Sequence, residues 1–276
     1  MSSNADPCLF YRHGAEEYMY IAIYVDDGLA VSSCQEELDS FLDHLKAEFE
    51  ISVGTLENFL GMRIQCETDG SILLSHSKYV EKILEDFNMS ECNAVSTPAS
   101  QEEVAEDEPL DASIPYRRAI GCLMHLSSAS RPDLAFAVSK AARKMENPRK
   151  SDWNSVKRIF RYLRGTAKIG IRYSPNKRNL DIFSDADLAG DKSTRRSTSG
   201  IVSTYAGGAV SWSSCLQKSV AISTTEAEIV AASEGAKEAL WLKRLLVELN
   251  EIVDSPPKLH VDSASAVKLS KNPEYH

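Results

Sequence analysis

The chain has 276 residues, of which 43% are hydrophobic and 26% charged, enough to bury one large core or two ordinary ones. A formal net charge of -9 by itself argues against nucleic-acid binding, and no run approaches the roughly 18 apolar residues of a membrane span. Cysteines at 8, 34, 66, 92, 122 and 215 show neither metal-type spacing nor a His-rich companion, so they read as reduced, mostly buried thiols of a soluble intracellular protein; the polar start, 1–7, lacks the apolar centre of a signal peptide.

In chain order, a β-branched and aromatic run at 19–25 and an alternating run at 29–31 flank Asp26-Asp27-Gly28. This predicts strand, tight turn, strand, with Asp-Gly as the turn signal and two adjacent carboxylates at the tip. Turn chemistry alone favours a plain turn there over a catalytic one. Leu38, Phe41, Leu42 and Leu45 make 34–49 an amphipathic helix, and apolar runs at 59–64 and 72–74 across Asp69-Gly70 predict a second hairpin. A helix is expected at 79–87. Residues 97–115 carry six acidic side chains, Glu102, Glu103, Glu106, Asp107, Glu108 and Asp111, together with three prolines, which reads as a linker or long surface loop.

Two Ala- and Leu-rich helices follow, at 116–128 and 132–145. From 140 to 178 the charge balance reverses. Trp153, Val156, Ile159, Phe160 and Leu163 form an apolar stripe, Lys157, Arg158, Arg161 and Arg164 lie opposite, and Gly165 supplies a stop. A solvated face is the plain reading of such a helix. Within an otherwise acidic chain, the one-sided basic stripe fits contact with a phosphate backbone.

The last third predicts strands at 180–185, 200–204, 209–212 and 219–222, a long helix at 224–249, a strand at 258–262 and a helix at 263–270, a mixed α/β layer. Asp185 and Asp262 end strands, so a carboxylate from the long helix could join them in a two-metal site. Glu228 shares its face with Ala231, Ala232, Gly235, Ala236 and Ala239, small residues suited to close packing, whereas 223–226 fits a capping box that occupies Glu226. Glu228 is preferred on this pattern. The segment 225–228 also fits a capping box, which leaves Glu226 as the rival ligand.

These residues carry a resemblance. Tyr24-Val25-Asp26-Asp27, Phe59-Leu60-Gly61, Arg131-Pro132-Asp133, Arg161-Tyr162-Leu163-Arg164-Gly165-Thr166, Ser184-Asp185-Ala186-Asp187, Arg196-Ser197-Thr198-Ser199-Gly200, Ser211-Trp212 and Thr225-Glu226-Ala227-Glu228, in this order, resemble the end of the reverse transcriptase and most of the ribonuclease H domain of a copia-type long-terminal-repeat retrotransposon Pol polyprotein. The resemblance implies an α/β (mixed α+β) fold. A residual reverse-transcriptase palm with a primer-grip-like hairpin would span 1–97, an acidic linker 98–115, a basic helical thumb or connection 116–178, and a ribonuclease H-like domain without its C-terminal end 179–276.

By the same resemblance, Asp26 and Asp27 would be metal ligands of a polymerase half-site, and Phe59, Leu60 and Gly61 would grip the primer. Asp185, Glu228 and Asp262 would hold two magnesium ions, with manganese as a substitute, and cut the RNA strand of an RNA-DNA hybrid. The partners implied are a hybrid or primer-template duplex and other parts of the Pol polyprotein, in the cytoplasm, within a virus-like particle, or in the nucleus. Only Asp6 precedes the hairpin, where the family's polymerase needs a further aspartate, and the chain stops before the usual fourth ribonuclease H carboxylate; Leu188 and Gly28 also depart from the pattern. The expectation is therefore a fragment short at both ends, with autonomous polymerisation lost and hybrid cleavage retained. The alternative is a non-catalytic nucleic-acid-binding remnant or inactive gene relic.

Overall fold

A computed structural model describes residues 1–14, 17–100, 107–251 and 256–272, arranged as three sheets and seven α-helices of a mixed α+β chain. The first sheet is β1 (Leu9–His13), β2 (Tyr18–Tyr24) and β3 (Asp27–Ser32), all antiparallel. The β2–β3 hairpin forms as its alternation predicts, but Tyr24 pairs with Asp27 and Ile23 with Gly28. The tip is therefore Val25-Asp26, and the Asp-Gly pair expected to turn lies in β3. Strand register, set by the apolar alternation, outweighs the dipeptide signal and holds Val25 at a φ of 54°, an outlier for a β-branched residue. Strand β1, just after the polar start, has no counterpart among the predicted elements. Helix α1 (Gln35–Glu48) covers one side of this sheet with half-buried side chains.

The second sheet runs β4 (Asn58–Phe59), β5 (Met62–Cys66), β6 (Ile72–Ser75) and β7 (Ile171–Tyr173). Leu60 and Gly61 both take positive φ, 50° and 77°, in the two-residue turn between β4 and β5, the conformation a primed hairpin turn requires. β7 adds to β6 from far along the chain, pairing Ile72 with Tyr173 and Leu74 with Ile171. Its three residues sit inside the basic stretch, where the charge count hides their alternation.

Helices α2 (Ser77–Asp86), α3 (Tyr116–Ala129), α4 (Ala135–Ala142) and α5 (Lys150–Gly165) bury the main apolar core around Ile120, Leu123, Leu126, Ile159, Phe160 and Leu163. Helix α5 stops at Gly165, as expected, and there an added Cβ would lie 3.0 Å from the Ala94 Cβ. Of the acidic stretch, Glu102, Glu103 and Glu106 lie outside the described residues. Its far end is bonded to the start of α5, with Ser151 N–H donating to Asp107 Oδ1 at 3.0 Å and Lys150 Nζ paired with Glu108 at 2.5 Å.

The third sheet has the order β10 (Gly208–Leu216), β9 (Thr198–Tyr205), β8 (Asp181–Ala186), β11 (Lys258–Val261), with β11 parallel to β8 and the other pairs antiparallel. Helix α6 (Thr224–Glu248) packs on it and α7 (Ala264–Lys271) follows β11. The strand expected at 219–222 does not form, because the Ile222 N–H is taken by the Glu226 carboxylate and Ile222 is 93% exposed. The cysteines are free, as expected, but Cys8, Cys66 and Cys215 are exposed and the other three half-buried, so the expected burial is corrected. No helix among the described residues is long and apolar enough to cross a membrane.

Two glycines test this packing in opposite directions. An alanine Cβ at Gly170 would lie 2.3 Å from the Leu74 carbonyl oxygen, whereas one at Gly121, inside α3, meets nothing within 4 Å. Gly170→Ala is expected to cost about 1–3 kcal/mol by overpacking, and Gly121→Ala to add about 0.5–1 kcal/mol, both read from denaturant midpoints followed by circular dichroism.

Candidate metal centre and nucleic-acid interface

The site begins with a close approach. Ala227 and Ala231 of α6 are fully buried, and at Gly235 an added Cβ would touch Leu259 at 3.1 Å, Ile182 at 3.4 Å and Ser184 at 3.6 Å. This small face lets the helix backbone settle onto β8 and β11 and sets Glu228 against the sheet. Parallel pairing of Val261 with Ser184 puts the next residues, Asp262 and Asp185, side by side at their strand ends. Asp185, Glu228 and Asp262 thus offer carboxylate oxygens that lie within 4.8 Å of one another.

Asp185 and Asp262 are exposed, and Glu228 is buried. Burial first, then the charges of Asp262 and Asp185, push the Glu228 carboxyl above its usual range, against the lowering effect of the Ala186 N–H. Glu228 Oε2 has no hydrogen-bond partner. An orphaned buried oxygen inside a cluster of hard oxygen donors suits a divalent cation of the magnesium type. Glu226 stays apart: its carboxylate accepts from Ile222 N–H at 2.8 Å and its own N–H donates to Ser223 Oγ at 3.1 Å.

One supporting residue gave no sign in the sequence. Gln217 is buried, and its Nε2 donates to Ser199 Oγ and to the Ala227 carbonyl, both at 2.9 Å, bolting β9 to the first turn of α6 one residue before Glu228. A glutamine between a strand and a loop carries no pattern; only its surroundings reveal it.

The other residues singled out from the sequence lie elsewhere. Asp26 and Asp27 are exposed at and beside the hairpin tip, and no third carboxylate, histidine or cysteine joins them in a cluster among the described residues. Phe59, Leu60 and Gly61 form the β4–β5 turn, which sits over the buried His76. The His76 ring shares a 2.6 Å hydrogen bond with Ser130 Oγ and packs edge-on against His125. In the basic stripe, Arg158 donates to Thr97 Oγ1 at 2.8 Å, Arg161 to the Asn93 carbonyl at 2.7 Å and Arg164 to the Ser90 carbonyl. These three strap 90–97 onto α5, with Lys157 half-buried beside them.

Residues 2–101 match the family profile described as reverse transcriptase (RNA-dependent DNA polymerase). Over its full length the chain is 39% identical to the retrovirus-related Pol polyprotein from transposon TNT 1-94 of Nicotiana tabacum and 33% identical to that from transposon RE2 of Arabidopsis thaliana. It spans only 22% and 19% of those two polyproteins. It is also 34% identical, over 81% of its length, to an uncharacterized mitochondrial protein of Arabidopsis thaliana, of which it covers 94%.

The carboxylate cluster is costly without a cation, which gives a stability test. Glu228 holds its proton to higher pH in the folded state than its ordinary 4.5, so in metal-free protein stability falls as pH rises through the folded value. Glu228→Gln is expected to flatten that dependence and raise the metal-free melting temperature at neutral pH by about 2–4 °C, the shift that ~1 kcal/mol makes in a chain of this size. The same substitution removes any stabilisation by added magnesium, measured by calorimetry with and without chelator.

Proposed function

The chain belongs to the copia-type retrotransposon Pol polyproteins, whose reverse-transcriptase sequence it carries, and from that premise we propose that it cuts the RNA strand of RNA-DNA hybrids at Asp185, Glu228 and Asp262. The observation that carries this reading is the convergence of three carboxylates, two at adjacent parallel strand ends and one on the packed helix. Divalent cations bound there would supply an activated water and charge stabilisation for the leaving oxygen. The chain's own contribution is to hold the ligands. Gln217 fixes the turn that carries Glu228, and the exposed Asp185 and Asp262 open the cluster to a strand passing over the sheet end. Discrimination for RNA would draw on its 2′-hydroxyls.

The division proposed from the sequence, with a palm-like part at 1–97 and a ribonuclease H-like part at 179–276, is supported by separate sheets in the two regions. It is modified by β7, which ties the basic helical part back to the second sheet. Asp26 and Asp27 stand without a third carboxylate among the described residues; primer extension by this chain is tested below.

A labelled RNA-DNA hybrid incubated with magnesium tests the cleavage. Asp185→Asn is expected to slow cutting on the order of a thousand-fold, several kcal/mol of lost transition-state stabilisation; equal cleavage by both proteins would discard the assignment. In primer extension on a homopolymer template the chain is expected to add no nucleotides, and robust magnesium-dependent synthesis would overturn that half of the reading.

A further inference from the structure

The basic stripe of α5 is engaged with 90–97, which leaves open what holds a polyanion at an acidic site in a chain of net charge -9. The loop from β8 to β9 answers this. It leaves the strand that carries Asp185 and re-enters the sheet where Ser199 pairs with Ala186. Arg195 and Arg196 lie three to four residues before that point. Both are exposed, and neither side chain has a hydrogen bond or ion pair among the described residues.

The loop is tightly held while the two guanidinium groups are not. Asp191 Oδ1 accepts from Ser193 N–H at 3.0 Å, Ser193 Oγ at 2.6 Å and Thr194 N–H at 3.4 Å, which holds its carboxyl at about 2. Arg195 N–H donates to the Asp191 carbonyl at 2.7 Å, and Asp191 N–H donates back to the Arg196 carbonyl at 3.1 Å. Ser197, fully buried, accepts from Ala189 N–H at 3.1 Å, and Asp187 Oδ1 accepts from Thr198 N–H at 2.5 Å. The loop's two carboxylates are thus bound to N–H and hydroxyl groups rather than to its arginines. Arg195 is held at a φ of 58°, a strained backbone for a long side chain that persists only where its surroundings fix it. A third guanidinium, from Arg143 just past the end of α4, reaches Thr198 Oγ1 at 3.3 Å.

A tightly held loop that follows the strand carrying Asp185 and presents two unpaired guanidinium groups has the form of a phosphate clamp, because such groups grip phosphate oxygens in a fixed fork. We propose that Arg195 and Arg196 bind the sugar-phosphate backbone of a nucleic-acid strand and hold it against the Asp185, Glu228 and Asp262 site. This rests on the cleavage reading for its location and on the loop alone for its binding chemistry.

Equilibrium binding of a fluorescent RNA-DNA hybrid in chelator, titrated against salt, tests it without catalysis. Two phosphate contacts contribute about 2 to the slope of log affinity on log salt. Wild type is therefore expected to lose about tenfold more affinity than R195Q/R196Q between roughly 50 and 200 mM salt. R195K/R196K, which keeps both charges, is expected to retain the wild-type slope, and R196Q alone to lose about half the effect. An unchanged slope in R195Q/R196Q at an unchanged melting temperature overturns the proposal, as does wild type that binds no hybrid. If the slopes differ while neither protein cuts hybrid in magnesium, the clamp stands and the cleavage reading falls. If cutting depends on Asp185 and the slopes agree, only the clamp falls.

Discussion

The close approach of α6 to its sheet governs the chemistry this chain can do. Ala227, Ala231 and Gly235 leave no side chain thick enough to hold the helix off β8 and β11, so Glu228 is carried into the company of two other carboxylates. Its burial and their charge oppose its ionisation. Three mutually repelling groups cannot hold themselves together; the apolar contact beneath them does so. Gln217 adds a polar tie where that contact ends. Stability is given up at one end of the helix and recovered along the rest of it, where Ala239, Leu242 and Leu246 join Leu180, Ile182 and Ile201 in a separate core.

The far end of α6 has a different task. Glu248 accepts hydrogen bonds from Ser3 Oγ and from the Asn4 and Ala5 N–H groups, Trp241 Nε1 donates to the Ala5 carbonyl, and Tyr20 donates to the Leu249 carbonyl. The first sheet, with its exposed Asp26 and Asp27, is thus moored to the end of the rod that starts beside Glu228. Twenty residues of helix separate Glu228 from Glu248, roughly 30 Å at 1.5 Å per residue. The two acidic sites are spaced by a rigid element rather than by a tether.

Sequence periodicity revealed most of the elements and missed two strands. The stripes of α1, α2 and α5 and the alternation of β2 and β8 show themselves, while β1 follows a polar start and β7, three residues long, sits inside a basic stretch. At 219–222 local propensity pointed to a strand, and one side chain, Glu226, removed a ladder donor. The same competition helped in the choice of Glu228, because the cap that occupies Glu226 could be read in the pattern before the contacts were seen. The face of α5 shows the opposite limit. A helical pattern tells which side is charged, but not that residues from before the acidic stretch return to lie across it. Long-range pairing leaves no local mark, and for that reason Gln217 and the unpaired arginines of the β8–β9 loop became visible only in three dimensions.

Strand β7 bears on how the chain comes to exist at all. Arg172, within it, donates to Ser71 Oγ across 101 residues of sequence, and until those residues emerge from the ribosome the outer edge of β6 has no neighbour. At roughly 5–20 residues per second that edge stays open for on the order of ten seconds, long enough for another nascent chain to pair with it. The helices made in the interval can pack among themselves, since α3, α4 and α5 bury one another. The second sheet can therefore close only after the helices that lie between its strands in the sequence have been made.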